Sequence, residues 1–188
     1  MPRDIAVLDA CILHAAPLRD LLLRLALADL YRPRWTDEIH EEWMRSVLER
    51  RPDLTLAQLQ RTRVLMDAAV PDGLVSGHVT RAQNSPLPDP ADEHVLAAAL
   101  YCGAESIVTY NLADFPEEVL GPLGLAAEHP DDFLWGLLRA SPMAFLEAVD
   151  VQRRALTNPS RSLPELLDTF RGLDLERTVA ELETVLRR

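Results

Sequence analysis

Apolar residues recur along the chain in two rhythms, and each rhythm predicts a different element. Ile5, Ala6, Val7 and Leu8 form an unbroken apolar run of strand length, as a strand buried on both faces requires. Ser106 to Thr109 is another buried-looking strand, and Tyr31 to Trp35 and Ala126 to Glu128 are further short candidates. Between these runs the spacing is helical. Leu18 to Leu30 predicts a strongly apolar helix. Thr36, followed by Asp37 and Glu38, predicts the N-cap and first turn of a helix reaching about Arg50. Thr55 and Gln58 predict a capping box for a helix ending near Val70. Leu74 to Val79 reads as a strand or an extended loop. After the proline-rich "NSPLPDPAD" a helix is expected from about Pro90 to Tyr101, with Gly103 as its C-cap glycine. Strands alternating with helices predict an α/β fold with a mainly parallel sheet.

The rhythm changes after about Ala140. Ser141-Pro142 has the form of an N-cap and N1 proline, Ser162 with Glu165 forms a second capping box, and Asp174 is placed to cap a last helix carrying Leu175, Val179, Leu182 and Leu186. No strand pattern occurs there. The expected organisation is an α/β domain over 1–140 and a helical extension over 141–188. Two readings of the extension stand side by side. Its apolar faces, with Phe145, Val149, Leu163, Leu166, Leu167 and Phe170, could cover the domain's core. Alternatively, Arg153, Arg154, Arg161 and Arg171 could make it a lid or docking surface that contacts phosphates.

Composition narrows the chemistry. The 188 residues suffice for one well-filled core with a small appendage. A net charge of −11 argues against non-specific nucleic-acid binding over a basic surface. The chain has no lysine, which excludes Schiff-base chemistry and the Walker lysine, while its arginines still suit phosphate. Cys11 and Cys102 lie in apolar surroundings, as in a reduced cytoplasmic protein without disulfides. No apolar run approaches the ~18 residues of a membrane span. The five histidines, His14, His40, His78, His94 and His129, show no zinc-ligand spacing.

One charge stands out against this background. Asp9 follows the first strand directly, with apolar sequence on both sides, where a lone carboxylate is costly unless compensated. Other acidic or amide groups fall at comparable points: Glu42 on the second helix, Asp89 and Asp92 at the start of a later one, Asn111 and Asp114 after "SIVTY". Sites in parallel sheets form beyond the carboxyl ends of strands, so these groups could share a crevice. Hard oxygen ligands gathered there suit Mg²⁺ or Mn²⁺, which would compensate Asp9. Plainer roles are open for each. Glu42 borders the core and could be solvated, Asp89 is a natural N-cap before Pro90, Asp92 suits a helix dipole, and Asp114 could cap a short helix.

"VLDACIL", "TDEIHEEW", "LPDPADEHVLAAAL" and "IVTYNLADFP", in this order and spacing, together resemble the PIN-domain family over residues 3 to about 138. That family comprises metal-dependent ribonucleases and includes the VapC-type toxins of bacterial toxin–antitoxin pairs. The resemblance implies a three-layer α/β/α fold with a mainly parallel sheet. It makes Asp9 the first acid, Glu42 the second and Asp92 the third. The region of the fourth acid is shared by Asn111 and Asp114, and Thr109 stands where the family places a hydroxyl. The implied catalytic set is Asp9, Glu42, Asp92 and Asp114. The metal is held by these with Asn111, and Thr109 and Asp89 play supporting roles. Mg²⁺, with Mn²⁺ as substitute, would serve hydrolysis of RNA phosphodiesters; Arg19, Arg45 and Arg81 are candidates for the rim. The resemblance further implies a cognate antitoxin, a homodimer, no membrane association and a cytoplasmic location. A catalytically inactive PIN scaffold that binds RNA or protein is the alternative, favoured by the Asn111 substitution. A phosphoaspartyl enzyme ranks below both, because "LDACIL" lacks a second nearby acid and the chain lacks lysine.

Overall fold

The computed structural model describes residues 4–78 and 87–187. Val79, Arg81 and the opening of the proline-rich connection lie outside the described residues. Among the described residues four strands, β1 (Ile5–Leu8), β2 (Arg32–Arg34), β3 (Ser106–Val108) and β4 (Ala126–Glu128), form one parallel sheet in the order β2-β1-β3-β4. Val7 pairs with Arg34 on one side and Ile107 on the other, which puts β1 in the interior of the sheet. Ala6, Val7 and Leu8 are all buried. Because successive strand residues face opposite sides, both faces of the sheet are covered, as the unbroken apolar run requires.

The described residues also form ten α-helices: α1 (Ala10–Leu13), α2 (Ala16–Leu27), α3 (Asp37–Arg50), α4 (Leu56–Ala69), α5 (Glu93–Cys102), α6 (Glu117–Leu120), α7 (Pro130–Ala140), α8 (Pro142–Ala155), α9 (Leu163–Arg171) and α10 (Glu176–Leu186). Local chemistry sets most of their ends. The Thr36 hydroxyl accepts the Ile39 N–H, and both halves of the Thr55–Gln58 box form. Gly103 closes α5 in the left-handed region that a glycine enters without strain. Val95 to Ala99 are buried, and this row of mostly small side chains lets α5 lie close on β1 and β3.

Several elements differ from the sequence-based expectation. The helix expected from Leu18 starts at Ala16 and stops at Leu27, because Asp29 takes a left-handed conformation that no helix continues through. The apolar residues after Asp9 form the separate turn α1. Leu74 makes only an isolated parallel bridge to Trp35; Gly73 permits it, since a Cβ there would stand 2.6 Å from the Trp35 ring. Pro90–Asp92 is a 3₁₀ turn that precedes α5.

The extension is packed against the domain. α8 and α9 lie on α2, α10 lies on α7, and the buried Gln152 donates to the Pro17 carbonyl at 2.8 Å. Ser162 and Glu165 form the expected box, whereas the Ser141 hydroxyl makes no capping bond. Asp174 does not cap α10. It is left-handed, and the buried carboxylate of Asp131 on α7 does the work instead, accepting the Arg177 and Thr178 N–H groups at 2.8 Å each. A carboxylate delivered by a neighbouring helix satisfies these donors as well as a local one would, and it also joins two helices.

Candidate active site

The sheet order fixes where a site can form. From β1 the chain proceeds to β2 on one side, while β3 continues to β4 on the other, so the strand order reverses between β1 and β3. Groups just beyond those two strands share the crevice that such a reversal opens. Asp9 and Thr109 are the first residues past β1 and β3. Both extend the ladder, Asp9 N–H to the Val108 carbonyl at 3.1 Å and Thr109 N–H to the Glu128 carbonyl at 3.0 Å.

Asp9 is buried and held by three neutral donors. Its Oδ1 accepts the Ala10 N–H at 2.6 Å, which caps α1; its Oδ2 accepts the Thr109 hydroxyl at 2.7 Å and the Cys11 thiol at 2.9 Å. These donors orient the carboxylate without neutralising it. Burial and the Asp9 charge push the Cys11 thiol up to about 12, so Cys11 acts here as a donor and not as a thiolate.

Asp92 ends the 3₁₀ turn at the N-terminus of α5, a crossover helix whose start lies at the edge where the strands end. Its carboxyl makes no hydrogen bond with a described residue. Burial, then the charges of Asp9, Asp114 and Asp89, push its pKa up to about 6. Asp114 ends the 3₁₀ turn Leu112–Asp114 and does not cap α6, whose first residue follows Pro116 with no side-chain cap. Asp9, Asp92 and Asp114 thus occupy one electrostatic field. In the side-chain positions seen, no three His, Cys, Asp or Glu groups among the described residues converge tightly enough to enclose a metal ion. The hard oxygens of these carboxylates are nevertheless the donor type that a divalent cation such as Mg²⁺ takes.

The remaining candidates are placed differently. Asn111 is exposed; its backbone N–H, not its side chain, reaches the cluster, by donating to Thr109 Oγ1 at 3.0 Å. Asp89 is exposed and caps the turn by accepting the Ala91 N–H at 2.8 Å. Glu42 is engaged by His94, whose Nε2 donates to Glu42 Oε1 at 3.0 Å. Despite partial burial, that bond and the charges of Glu42, Glu38 and Asp92 raise the His94 pKa. Arg19 is not a rim group: it is directed at the Leu13 carbonyl and lies over the Trp43 ring, 4.8 Å from its centroid. Arg45 is exposed on α3.

Sequence reasoning missed His94, Cys11 and His14. His94 lies two residues after Asp92, and nothing in the spacing reveals a partner on α3. Cys11 lies two residues after Asp9, a separation that the tight turn α1 converts into contact. His14 lies 3.4 Å from Arg50 Nη1, and burial with the Arg50 and Arg19 charges lowers its pKa.

Comparison with known proteins agrees with this architecture. A PIN domain family model matches residues 5–113, more than half of the chain, and the chain belongs to the PIN-domain family. A second model, the VapC50 C-terminal domain, matches residues 130–184, from the start of α7 to near the end of α10. Over 43 residues the chain is 58% identical to "Putative ribonuclease VapC50" of Mycobacterium tuberculosis, an alignment spanning 23% of this chain and 25% of that relative. The chain thus covers about a quarter of the length of the curated relative it matches. No solved structure matches the chain.

Proposed function

We propose that the protein is a Mg²⁺-dependent endoribonuclease of the VapC type, the toxin of a type II toxin–antitoxin pair, acting in the cytoplasm as a homodimer. The observation that supports the nuclease reading is the placement of Asp9 directly beyond β1 at the reversal of strand order, with Asp92, raised in pKa by burial and then by the charges of Asp9 and Asp114, at the start of α5. Like charges kept together in a crevice are offset by a proton or a cation, and all-oxygen donors select a hard cation. The match to the VapC50 C-terminal domain supports the toxin reading.

Asp9, Asp92 and Asp114 are the residues that would hold the metal. Once bound, a divalent cation supplies Lewis-acid stabilisation of the phosphodiester and lowers the pKa of a water. Thr109 keeps Asp9 in place by donating to Oδ2, and the Ala10 N–H does the same at Oδ1. The Asn111 N–H in turn fixes the Thr109 hydroxyl, so Asn111 supports the site through its backbone. Glu42, half-exposed beside the cluster, accepts a proton from a water placed for in-line attack. The test is cleavage of single-stranded RNA with and without Mg²⁺, alongside Mn²⁺ binding. Mg²⁺-dependent cleavage that Asp9→Asn abolishes supports the reading. RNA binding without cleavage, with no Mn²⁺ bound, would make the chain the non-catalytic scaffold instead. Co-purification with the product of an adjacent gene tests the toxin assignment separately.

A further inference from the structure

Glu42 and His94 stand apart from the other acids in how they are bound. The Asp92 carboxyl has no hydrogen-bond partner among the described residues, whereas one Glu42 oxygen, Oε1, is held at 3.0 Å by His94 Nε2. A carboxylate can only accept, so Nε2 carries the proton. The second oxygen, Oε2, makes no hydrogen bond with a described residue and is open to a water or a substrate hydroxyl.

Both ends of the bond are built on rigid supports. On α3, the neighbour of Glu42 is the fully buried Trp43, whose Nε1 donates to His40 Nδ1 at 2.9 Å. His40 Nε2 lies 3.2 Å from Asp67 Oδ1, which also accepts Trp35 Nε1 at 2.8 Å. This chain of bonds fixes the rotation of α3 and thereby the direction of Glu42. On α5, His94 is followed directly by the buried row Val95–Ala99 that seats the helix on the sheet. One turn before Glu42, Glu38 lies 3.6 Å from a different histidine, His78, and it is Glu42, not Glu38, that is hydrogen-bonded to His94. A carboxylate with one oxygen pinned and the other free is arranged to aim a water, and pinning both supporting helices keeps that aim.

We propose that Glu42 and His94 act as one unit beside the metal-binding acids: Glu42 orients the attacking water, and His94 is the positioning residue that holds Glu42. This rests on the nuclease reading given above, with Glu42 outside the metal's own ligand set. The variants Glu42→Ala, His94→Ala, the double Glu42→Ala/His94→Ala and His94→Gln test it, because a glutamine amide can replace Nε2–H as the donor. The measurements are single-turnover cleavage of a short single-stranded RNA at saturating Mg²⁺, RNA half-saturation, Mn²⁺ affinity by electron paramagnetic resonance, and melting temperature. Each single alanine variant is expected to slow cleavage by about 10- to 100-fold, the range for loss of a group that orients a reacting one. The double variant is expected to be no slower than the worse single, and His94→Gln to recover most of the rate. RNA half-saturation and Mn²⁺ affinity should stay within about twofold of the wild type, a limit set well below the tenfold steps of the effects sought.

Three results would overturn the pair: losses that multiply in the double variant, His94→Gln as slow as His94→Ala, or a fall in Mn²⁺ affinity that makes Glu42 a ligand. A lowered melting temperature with an unchanged rate would also overturn it, leaving only a tie between two helices. If the wild-type protein neither binds Mn²⁺ nor cuts RNA, the nuclease reading itself fails and this inference falls with it. If the wild type does both, the variants judge the pair alone.

Discussion

Asp9 and Asp131 are both buried carboxylates at the beginnings of helices, and the molecule uses them in opposite ways. Asp131 accepts two backbone N–H groups of α10, while its own carbonyl accepts the Thr178 hydroxyl at 2.9 Å. Its charge is converted into a helix cap and an interhelical joint. Asp9 is as well hydrogen-bonded, yet its charge adds to those of Asp92 and Asp114. The contrast extends to the surroundings. Around α8 to α10, Asp150 pairs with Arg153 and Arg154, Asp168 and Glu183 with Arg171, and Asp132 with Arg177, which also stacks 3.5 Å from the Trp135 ring centroid. In the crevice the nearby arginines turn elsewhere, Arg19 to the Leu13 carbonyl and Arg50 to His14. With 30 acids to 19 arginines, not every acid can be paired one to one, and the unpaired cluster lies at the strand ends. Paired acids mark where the chain is being held together. In the crevice, by contrast, the charges of Asp9 and Asp114 add to the burial that raises the Asp92 pKa.

The sharpest way to break this contrast is to neutralise both aspartates. Asp9→Asn is expected to lower Mg²⁺-dependent RNA cleavage by more than about 100-fold, beyond the usual cost of losing an outer partner. Its urea unfolding midpoint should stay level or rise, since like-charge repulsion is relieved. A variant that still cleaves at the wild-type rate removes Asp9 from the chemistry. Asp131→Ala should do the reverse. Two N–H groups at the start of α10 lose a charged acceptor, which costs roughly 2–4 kcal/mol of unfolding free energy, with the rate per folded molecule unchanged. Wild-type stability in that variant would show that water caps α10 equally well.

A pH experiment sharpens the same comparison. The folded-state pKa of Asp92, about 6, lies above its ordinary 3.8. Between these values the folded protein holds a proton that the unfolded chain has released, so this carboxyl destabilises the fold above pH 6 and the penalty disappears as pH falls toward 4. With chelator present, wild-type stability relative to Asp92→Asn should therefore improve as pH is lowered from 7 to 5. Mn²⁺ affinity should weaken over the same interval as protons compete for the site. A flat difference between the two proteins would mean that Asp92 does not feel its neighbours. The smallest expected effect is Asp150→Asn. Partly exposed pairs such as those with Arg153 and Arg154 contribute below about 1 kcal/mol, measurable as a shift in melting temperature of a few degrees at most.

Much of this organisation was legible in the sequence, for physical reasons that differ by element. The strand β1 is an unbroken apolar run, β3 is a short buried segment, and the caps at Thr36, Thr55, Ser162 and Gly103 act over a few residues, so local sequence carries them. The cap on α10 was misread because its acceptor lies 46 residues away from Arg177, where no local pattern can point to it. The acids Asp9, Glu42, Asp92 and Asp114 were singled out by their order and spacing, and among them the charges of Asp9 and Asp114 act on Asp92. That Glu42 would be held by His94 was not legible, since the bond spans 52 residues and depends on the rotation of two helices. The alternative reading gave the extension's arginines to phosphate; in the structure Arg153, Arg154 and Arg171 pair with neighbouring acids and Arg161 donates to Thr169. Its apolar faces lie against α2 and α7, as the covering reading expects.

The bond between Asp9 and Thr109 joins residues 100 positions apart, and this has a consequence for the newly made protein. A ribosome adds roughly 5–20 residues per second, so about 5 to 20 seconds separate the synthesis of the two partners. During that interval β1 has no β3 beside it, and the nascent chain carries Asp9 without the hydroxyl that orients it. A parallel strand pair so distant in sequence closes slowly even after both halves exist. Translation itself therefore sets the earliest moment at which the Asp9 carboxylate can be held in place by Thr109.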